Sequence, residues 1–328
     1  MIYLHGSGHF HPENIIDNRF LEELDIGTCN DWIIERVGIV TRRTVLPLSY
    51  ILDTKNQNPI QAREASLYSN AQTGASACKM AIERAGISKE SIGMVISGSC
   101  TPQYSCPAEA CTISNELELE VLSFDINSAC SSMAAHLHFI NQMDPEKTPD
   151  YILIVNPENN TRAVDYSDRS SAVLWGDCSS AYVISTKIPS KVTIEHSWME
   201  SAPSGWEKVT FPVGGKFKQD GRSVQRFAIK KSIAVVKKMR EKISPDIINN
   251  VKYIGHQANL RMLESVCDRA EINPDNHFYN VDIFGNCGAA GAPSVLSENW
   301  DKFKAGDTIM LAVVGAGLSW GGVLINFL

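Results

Sequence analysis

Apolar positions along the chain alternate between two rhythms. "IGMVISGS" (92–99), "YILIVNPE" (151–158), "SAYVIST" (180–186) and "TIMLAVVGAG" (308–317) are short, nearly continuous apolar runs bounded by small or turn-forming residues. Runs of that length read as strands covered on both faces. "MIYLHGSG" at the start and "NVKYIGHQ" (250–257) read as further strands. "ASLYSNAQTGASACKMAIERAG" (65–86) and "RFAIKKSIAVVKKMREKI" (226–243) instead place apolar residues at helical spacing, the second with a basic opposite face. Strands alternating with helices predict α/β layers.

The plan occurs twice. "SFDINSACSSMAAHL" (123–137) is a strand, a set of small residues, then a helix start with apolar Met133, Leu137 and, further on, Ile140. "FYNVDIFGNCGAAGAPSVL" (278–296) follows the same order, and "YILIVNPEN" pairs with "TIMLAVVGAG". The echo predicts two related α/β halves, 1–186 and 187–328. Two stretches read as surface loops: polar 54–64, and 203–223, rich in Gly, Pro and Lys. A loop as long as the second is more often functional than idle.

Composition narrows the class. The 328 residues suffice for two packed halves, and 44% hydrophobic with 20% charged residues is a globular balance. A net charge of −7 argues against general nucleic-acid binding, which needs a basic field. No apolar run reaches bilayer length and no signal-like segment opens the chain, so a cytoplasmic protein without a membrane partner is expected. The nine cysteines are odd in number and scattered, which fits free thiols in a reducing compartment. Cys100, Cys106 and Cys111 lack Cys-x-x-Cys spacing. They are expected to be small buried residues, and no metal site is expected.

Cys130 stands at the seam between strand and helix. A cysteine just before a helix N-terminus feels the positive end of the helix dipole, which favours thiolate, and small neighbours admit a substrate. His256 in "GHQANLRML" follows a strand, and Asn286 in "FGNCGAAG" lies at the turn that mirrors the cysteine turn. A lone histidine or a Gly-Asn turn is usually structural. Together at strand ends, where open α/β sheets bind ligands, the three propose a nucleophile with hydrogen-bond donors or a base.

"SACSS", "HQANLR", "FGNCGAA" and "GAGLSWG", with "NDWIIERVGIVTRR" (30–43) and "DYSDRSSAVLWGDCSSA" (165–181), resemble the ketoacyl-ACP synthase III (KAS III) family of the thiolase superfamily over nearly the whole chain. Chalcone-synthase-like enzymes share Cys, His and Asn but not "HQANLR", and two-histidine ketosynthases lack the asparagine. The resemblance implies a thiolase-like fold of duplicated halves in five α-β-α-β-α layers, as a homodimer. It implies a decarboxylating Claisen condensation of an acyl-CoA primer with malonyl-ACP or malonyl-CoA in fatty-acid or secondary-metabolite synthesis. Cys130 would carry the acyl group, the backbone N–H groups of Cys130 and Ala316 would form the oxyanion hole, and His256 and Asn286 would hold the malonyl thioester carbonyl. Trp32, Arg36 and Arg169 would bind coenzyme A, and Arg226 and Arg261 would dock acyl carrier protein. The other lysines of 226–243 read as a solvated face. No resident cofactor is implied; coenzyme A thioesters and phosphopantetheine-bound malonyl are substrates.

Three departures carry information. The terminal glycine run is "GAG", the asparagine turn reads "GNCGAAG" with Cys287 beside Asn286, and Cys106 stands where the family places a bulky aromatic that limits the acyl pocket across the dimer interface. A small residue there, and a long 47–64 segment, point to a primer larger than acetyl. Two rival readings stand beside condensation: transfer of the cysteine-bound acyl group to an oxygen or nitrogen acceptor, and a non-catalytic acyl-binding partner subunit.

Overall fold

The twofold rhythm of the sequence becomes a twofold repeat of topology. A computed structural model describes residues 1–328. Its main sheet has ten strands, numbered here in chain order: β1 (Ile2–Phe10), β2 (Ile92–Ser97), β3 (Leu122–Asp125), β4 (Tyr151–Glu158), β5 (Cys178–Ser185), β6 (Val192–Ser201), β7 (Lys252–Gly255), β8 (His277–Phe278), β9 (Thr308–Gly315) and β10 (Ser319–Phe327). Seven helices bear on the argument: α1 (Asn30–Arg36), α2 (Asn70–Ala85), α3 (Glu109–Glu116), α4 (Ser132–Ile140), α5 (Gly221–Arg240), α6 (Leu260–Arg269) and α7 (Gly291–Glu298).

Strand order is β3-β2-β4-β5-β1 in the first half and β8-β7-β9-β10-β6 in the second. Each half has parallel pairing among its first three strands in that order and antiparallel pairing among the rest. Strand βn therefore corresponds to βn+5 throughout. The two five-stranded sheets touch edge to edge only where β1 meets β6, at Ile2–Ile194 and Tyr3–Thr193.

Side-chain alternation builds the layers. On β4, Ile152 and Ile154 face the centre of the molecule while Leu153 and Val155 face outward; on β9, Ile309, Leu311 and Val313 face the centre while Met310, Ala312 and Val314 face outward. Both faces are covered, which is why these strands read as unbroken apolar runs. Helices α4 and α7 fill the middle through Met133, Leu137, Ile140, Val295 and Leu296. Helices α2 and α3 cover one outer face, and α5 and α6 the other. The result is the five-layer α-β-α-β-α arrangement. No helix is long and apolar enough to cross a membrane.

Two expectations change in detail. The polar 54–64 stretch contains a helix, Pro59–Ala65: Asn58 accepts hydrogen bonds from the N–H groups of Ile60 and Gln61, and Pro59 needs no N–H partner. The 203–223 stretch folds as a 3₁₀ turn and a small hairpin pairing Val209–Thr210 with Lys218–Gln219. Helix α5 then starts at Gly221, earlier than its apolar pattern, because Asp220 caps it by accepting from Ser223 N–H.

Candidate active site

Hydroxyls build the turn that carries Cys130. Ser131 Oγ donates to Ser128 C=O at 2.7 Å and lies 2.7 Å from Ser319 Oγ. Ser132 Oγ donates to Ala129 C=O at 2.7 Å and accepts from Ser128 N–H at 3.0 Å. Asn127 Oδ1 accepts from Ala129 N–H, supporting Ala129 at a left-handed φ of 49°. The four small residues therefore do more than clear space: they satisfy the backbone of a tight turn without bulk. Gly315, at the end of β9, sits so close that a Cβ there would come within 2.8 Å of Ser128 C=O and 2.9 Å of Ser131 N. That approach brings the backbone of Ala316 to the cysteine turn.

His256 is the first residue after β7 and is buried. Burial alone pulls its pKa down to about 4, so the ring is neutral at physiological pH and carries one N–H. Asn286 precedes α7 as Cys130 precedes α4. Its side-chain Oδ1 accepts the Gly288 N–H at 3.0 Å, which fixes the amide orientation and leaves the NH₂ group without a protein partner. Its backbone bonds to Leu174 C=O and Gly176 N–H lock the turn. Gly285 just before it adopts φ 71°, where a side chain would also meet Leu174 C=O at 2.8 Å.

Cys130, His256, Asn286 and Ala316 line one cavity of about 560 Å³, together with Trp32, Arg36 and Arg169. That volume suits a small-molecule site. The two arginines are exposed while His256 and Asn286 are buried, so the cavity runs from a basic mouth to the Cys130 turn. At the mouth the Arg169 guanidinium stands 4.8 Å from the Trp32 ring centroid. The 203–223 segment supplies Val209, Phe217, Gln219 and Gly221 to the wall, with Phe217 edge-on to Trp175 at 4.7 Å.

Other sequence candidates lie elsewhere. Arg226 is exposed on α5, outside the cavity lining, although Arg222, Gln225 and Phe227 around it contribute. Arg261 is already engaged: its guanidinium donates twice to Ile34 C=O, at 3.1 and 2.9 Å, and pairs with Glu264 at 2.9 Å. It ties α6 to α1, the helix carrying Trp32 and Arg36. Cys106 is exposed and does not line the cavity of its own chain. Cys111 is exposed as well, so these two cysteines are not the small buried residues expected, because residues 104–107 lie at the protein surface and Cys111 stands on the outward side of α3, whose Glu109 and Ala110 are buried.

Two residues near Cys130 were not singled out from the sequence. The Cys100 thiol is held well above its usual range, first by its hydrogen bond with Cys130, then by burial and by Glu158. Glu158, fully buried at the end of β4, accepts from the N–H groups of Cys100 at 3.0 Å and Ala289 at 2.9 Å. It thus joins the turn after β2 to the turn after Asn286. Burial pushes its carboxyl up to about 7 despite those bonds. The only signal in the sequence was an acid closing an apolar run, "YILIVNPE".

Comparison with known proteins converges on one family. Residues 124–202 match the model of 3-oxoacyl-[acyl-carrier-protein] synthase III, and residues 242–327 match the model of its C-terminal part. The chain is 30% identical to a beta-ketoacyl-[acyl-carrier-protein] synthase III of Syntrophomonas wolfei, covering 98% of this chain and 96% of that one. It is 31% identical to one from Coxiella burnetii, covering 98% of each. The crystal structure of 3-oxoacyl-[acyl-carrier-protein] synthase III from Aquifex aeolicus superposes with a TM-score of 0.87 at 28% identity over 100% of both chains.

Proposed function

The chain belongs to the 3-oxoacyl-[acyl-carrier-protein] synthase III family, and from that premise we propose that it is a condensing enzyme joining an acyl primer to a malonyl unit with loss of carbon dioxide. Cys130 sulfur adds to the carbonyl of an acyl-CoA, coenzyme A leaves as its thiol, and an acyl-cysteine remains. In the malonyl thioester the bond to the carboxylate breaks, carbon dioxide departs, and the electron pair forms an enolate. The enolate carbon attacks the acyl-cysteine, the carbon–sulfur bond breaks, a β-ketoacyl thioester leaves, and the released Cys130 thiolate takes a proton from water to restore the thiol.

The observation that carries this reading is the pair of donors opposite Cys130. Neutral His256 offers an N–H, and Asn286, its oxygen occupied by Gly288, offers its NH₂. Two neutral donors stabilise an enolate oxygen. They supply no strong base, and decarboxylation needs none. Transfer to an oxygen or nitrogen acceptor would instead call for a base poised near neutral pH, and a histidine held at about 4 is a weak one. The backbone N–H groups of Cys130 and Ala316, brought together at Gly315, suit the tetrahedral oxyanion. The presence of nucleophile and both donors speaks against a non-catalytic subunit.

Trp32 and Arg169 form a flat aromatic and cationic surface fit to grip a nucleotide, and exposed Arg36 beside them suits phosphate. Exposed Arg226 on α5 is suited to dock an acidic carrier protein, with Arg261 contributing through its hold on α1. The reaction needs no resident cofactor. Coenzyme A and carrier-protein thioesters, with nine free thiols, support a cytoplasmic setting. The primer we favour is larger than acetyl, in fatty-acid or secondary-metabolite synthesis. The decisive test supplies acyl-CoAs of increasing length with malonyl-ACP or malonyl-CoA and counts products. One carbon dioxide per β-ketoacyl product is expected. Acyl transfer without carbon dioxide sinks the condensing reading, and fastest loading by acetyl-CoA sinks the larger primer.

We also propose a homodimer formed along β3. That strand pairs only with β2, its outer edge has no partner, and Leu122 on it is 60% exposed. Such an edge invites a second copy. Leu122→Asp is expected to shift the protein from dimer to monomer in light scattering; a variant that stays dimeric places the interface elsewhere.

A further inference from the structure

Below the Asn286 turn, outside the cavity, four side chains from four elements converge. His11 follows β1, Cys178 opens β5, Cys287 follows Asn286, and Glu298 closes α7. Cys178 Sγ, Cys287 Sγ and a ring nitrogen of His11 all lie within 4.8 Å of one another. His11 Nε2 is 3.9 Å from Cys178 Sγ and 3.3 Å from Glu298 Oε1. Its Nδ1 is buried without a partner, so every polar contact of the ring is with this cluster. The ring is held by stacking on Phe284, with centroids 3.6 Å apart and planes 10° from parallel. Glu298 is oriented in turn by Asn280, whose side-chain NH₂ donates to Oε2 at 2.8 Å.

We infer that His11, Cys178, Cys287 and Glu298 form a buried structural site for zinc(II), or a divalent cation of the same soft, tetrahedral class. Two thiolates, an imidazole and a carboxylate are ligands zinc takes, and four protein ligands make a closed, structural site. At ordinary bond lengths, tetrahedral zinc sets its donors about 3.5–3.8 Å apart where sulfur is involved. The two sulfurs and the His11 ring nitrogen need to close by about 1 Å at most, while the Glu298 carboxylate, 3.3 Å from His11 Nε2, has to turn toward the sulfurs to complete the set. Glu298 already stands at ligand spacing from His11 and has the supporting hydrogen bond that metal-bound carboxylates have. Both sulfurs are buried at 1% exposure, whereas the Glu298 side chain is 22% exposed and opens a way in. The ligand positions, 11, 178, 287 and 298, follow no short metal-binding spacing, so they do not show as a motif. A metal here would pin the turn of Asn286 to the first-half sheet and to the end of α7.

The test uses the whole chain, reduced and treated with chelator, titrated with cobalt(II) and then with zinc(II). One cobalt per chain is expected, with the intense thiolate-to-cobalt absorption, displaced by zinc. Cys178→Ser/Cys287→Ser should weaken cobalt binding at least about 100-fold, while Cys130→Ala leaves the absorption in place. A band that survives in the double serine variant, or no band in the wild type, overturns the site. X-ray absorption on the zinc-loaded wild type does not depend on any variant folding. A shell of two sulfurs and two lighter atoms is expected, and a shell lacking two sulfurs overturns the site. A reduced chain that takes up no cobalt but links Cys178 to Cys287 on exposure to peroxide overturns it in favour of a thiol pair.

Discussion

Cys130→Ala is expected to show no acyl adduct by intact-protein mass with any acyl-CoA, and condensation falls on the order of 10⁴-fold or more, the scale on which loss of a covalent nucleophile acts. The fold should survive. The turn around Cys130 is held by the hydroxyls of Ser131, Ser132 and Ser319 and by Asn127, not by the thiol. Alanine also keeps the backbone N–H at 130, so the oxyanion hole remains. His256 and Asn286 are untouched, so the variant should still release carbon dioxide slowly from a malonyl thioester without forming product. An adduct of unchanged mass in the variant would mean that another sulfur attacks, and Cys100, the thiol next to Cys130, would be the one to substitute next.

The sequence made the site more legible than its surroundings, for a physical reason. Cys130 stands beyond the edge strand β3 and Asn286 beyond a short helical turn, Val281–Phe284, but His256 and Ala316 directly follow β7 and β9, and strands covered on both faces announce themselves as apolar runs. The residue just past each run could therefore be read as an edge facing ligand. The duplication was legible because both halves repeat the same strand, small-residue turn and helix, with α4 and α7 in equivalent places. What escaped was whatever depends on distance in space. Nothing in "SGSCTPQ" says that Cys100 meets Cys130, because β2 and β3 must first pair in parallel to bring them together. Glu158 looked like the polar end of a strand, yet it joins the turns at 100 and 289 across the two halves. Arg261 looked like an exposed cation in a basic region, but its two bonds to Ile34 are made 227 residues away in sequence. The helix at 59–65 escaped because it has almost no apolar face and is set by its cap.

Asn286→Asp separates the two halves of the proposed reaction more sharply than any other single change. The substitution keeps size and shape, and one carboxylate oxygen still accepts the Gly288 N–H that orients the side chain. The other oxygen replaces the NH₂ group, so a donor becomes a negative acceptor facing the oxygen on which the enolate charge develops. Losing one such donor costs about 10²–10³ in rate, and like-charge repulsion adds to it. Condensation is therefore expected to fall by about 10³-fold or more while acyl-CoA still loads Cys130 at its normal rate. Loading uses the N–H groups at 130 and 316, which the change does not touch. The pH profile gives a second signature. Burial raises a carboxyl, and only its protonated form can donate again. The deficit should thus shrink as pH falls and deepen as it rises. Parallel loss of loading and condensation would assign Asn286 to the acylation step or to the fold of its turn. Normal product formation at neutral pH would remove the enolate from its vicinity altogether, and with it the main distinction between condensation and simple acyl transfer at this site.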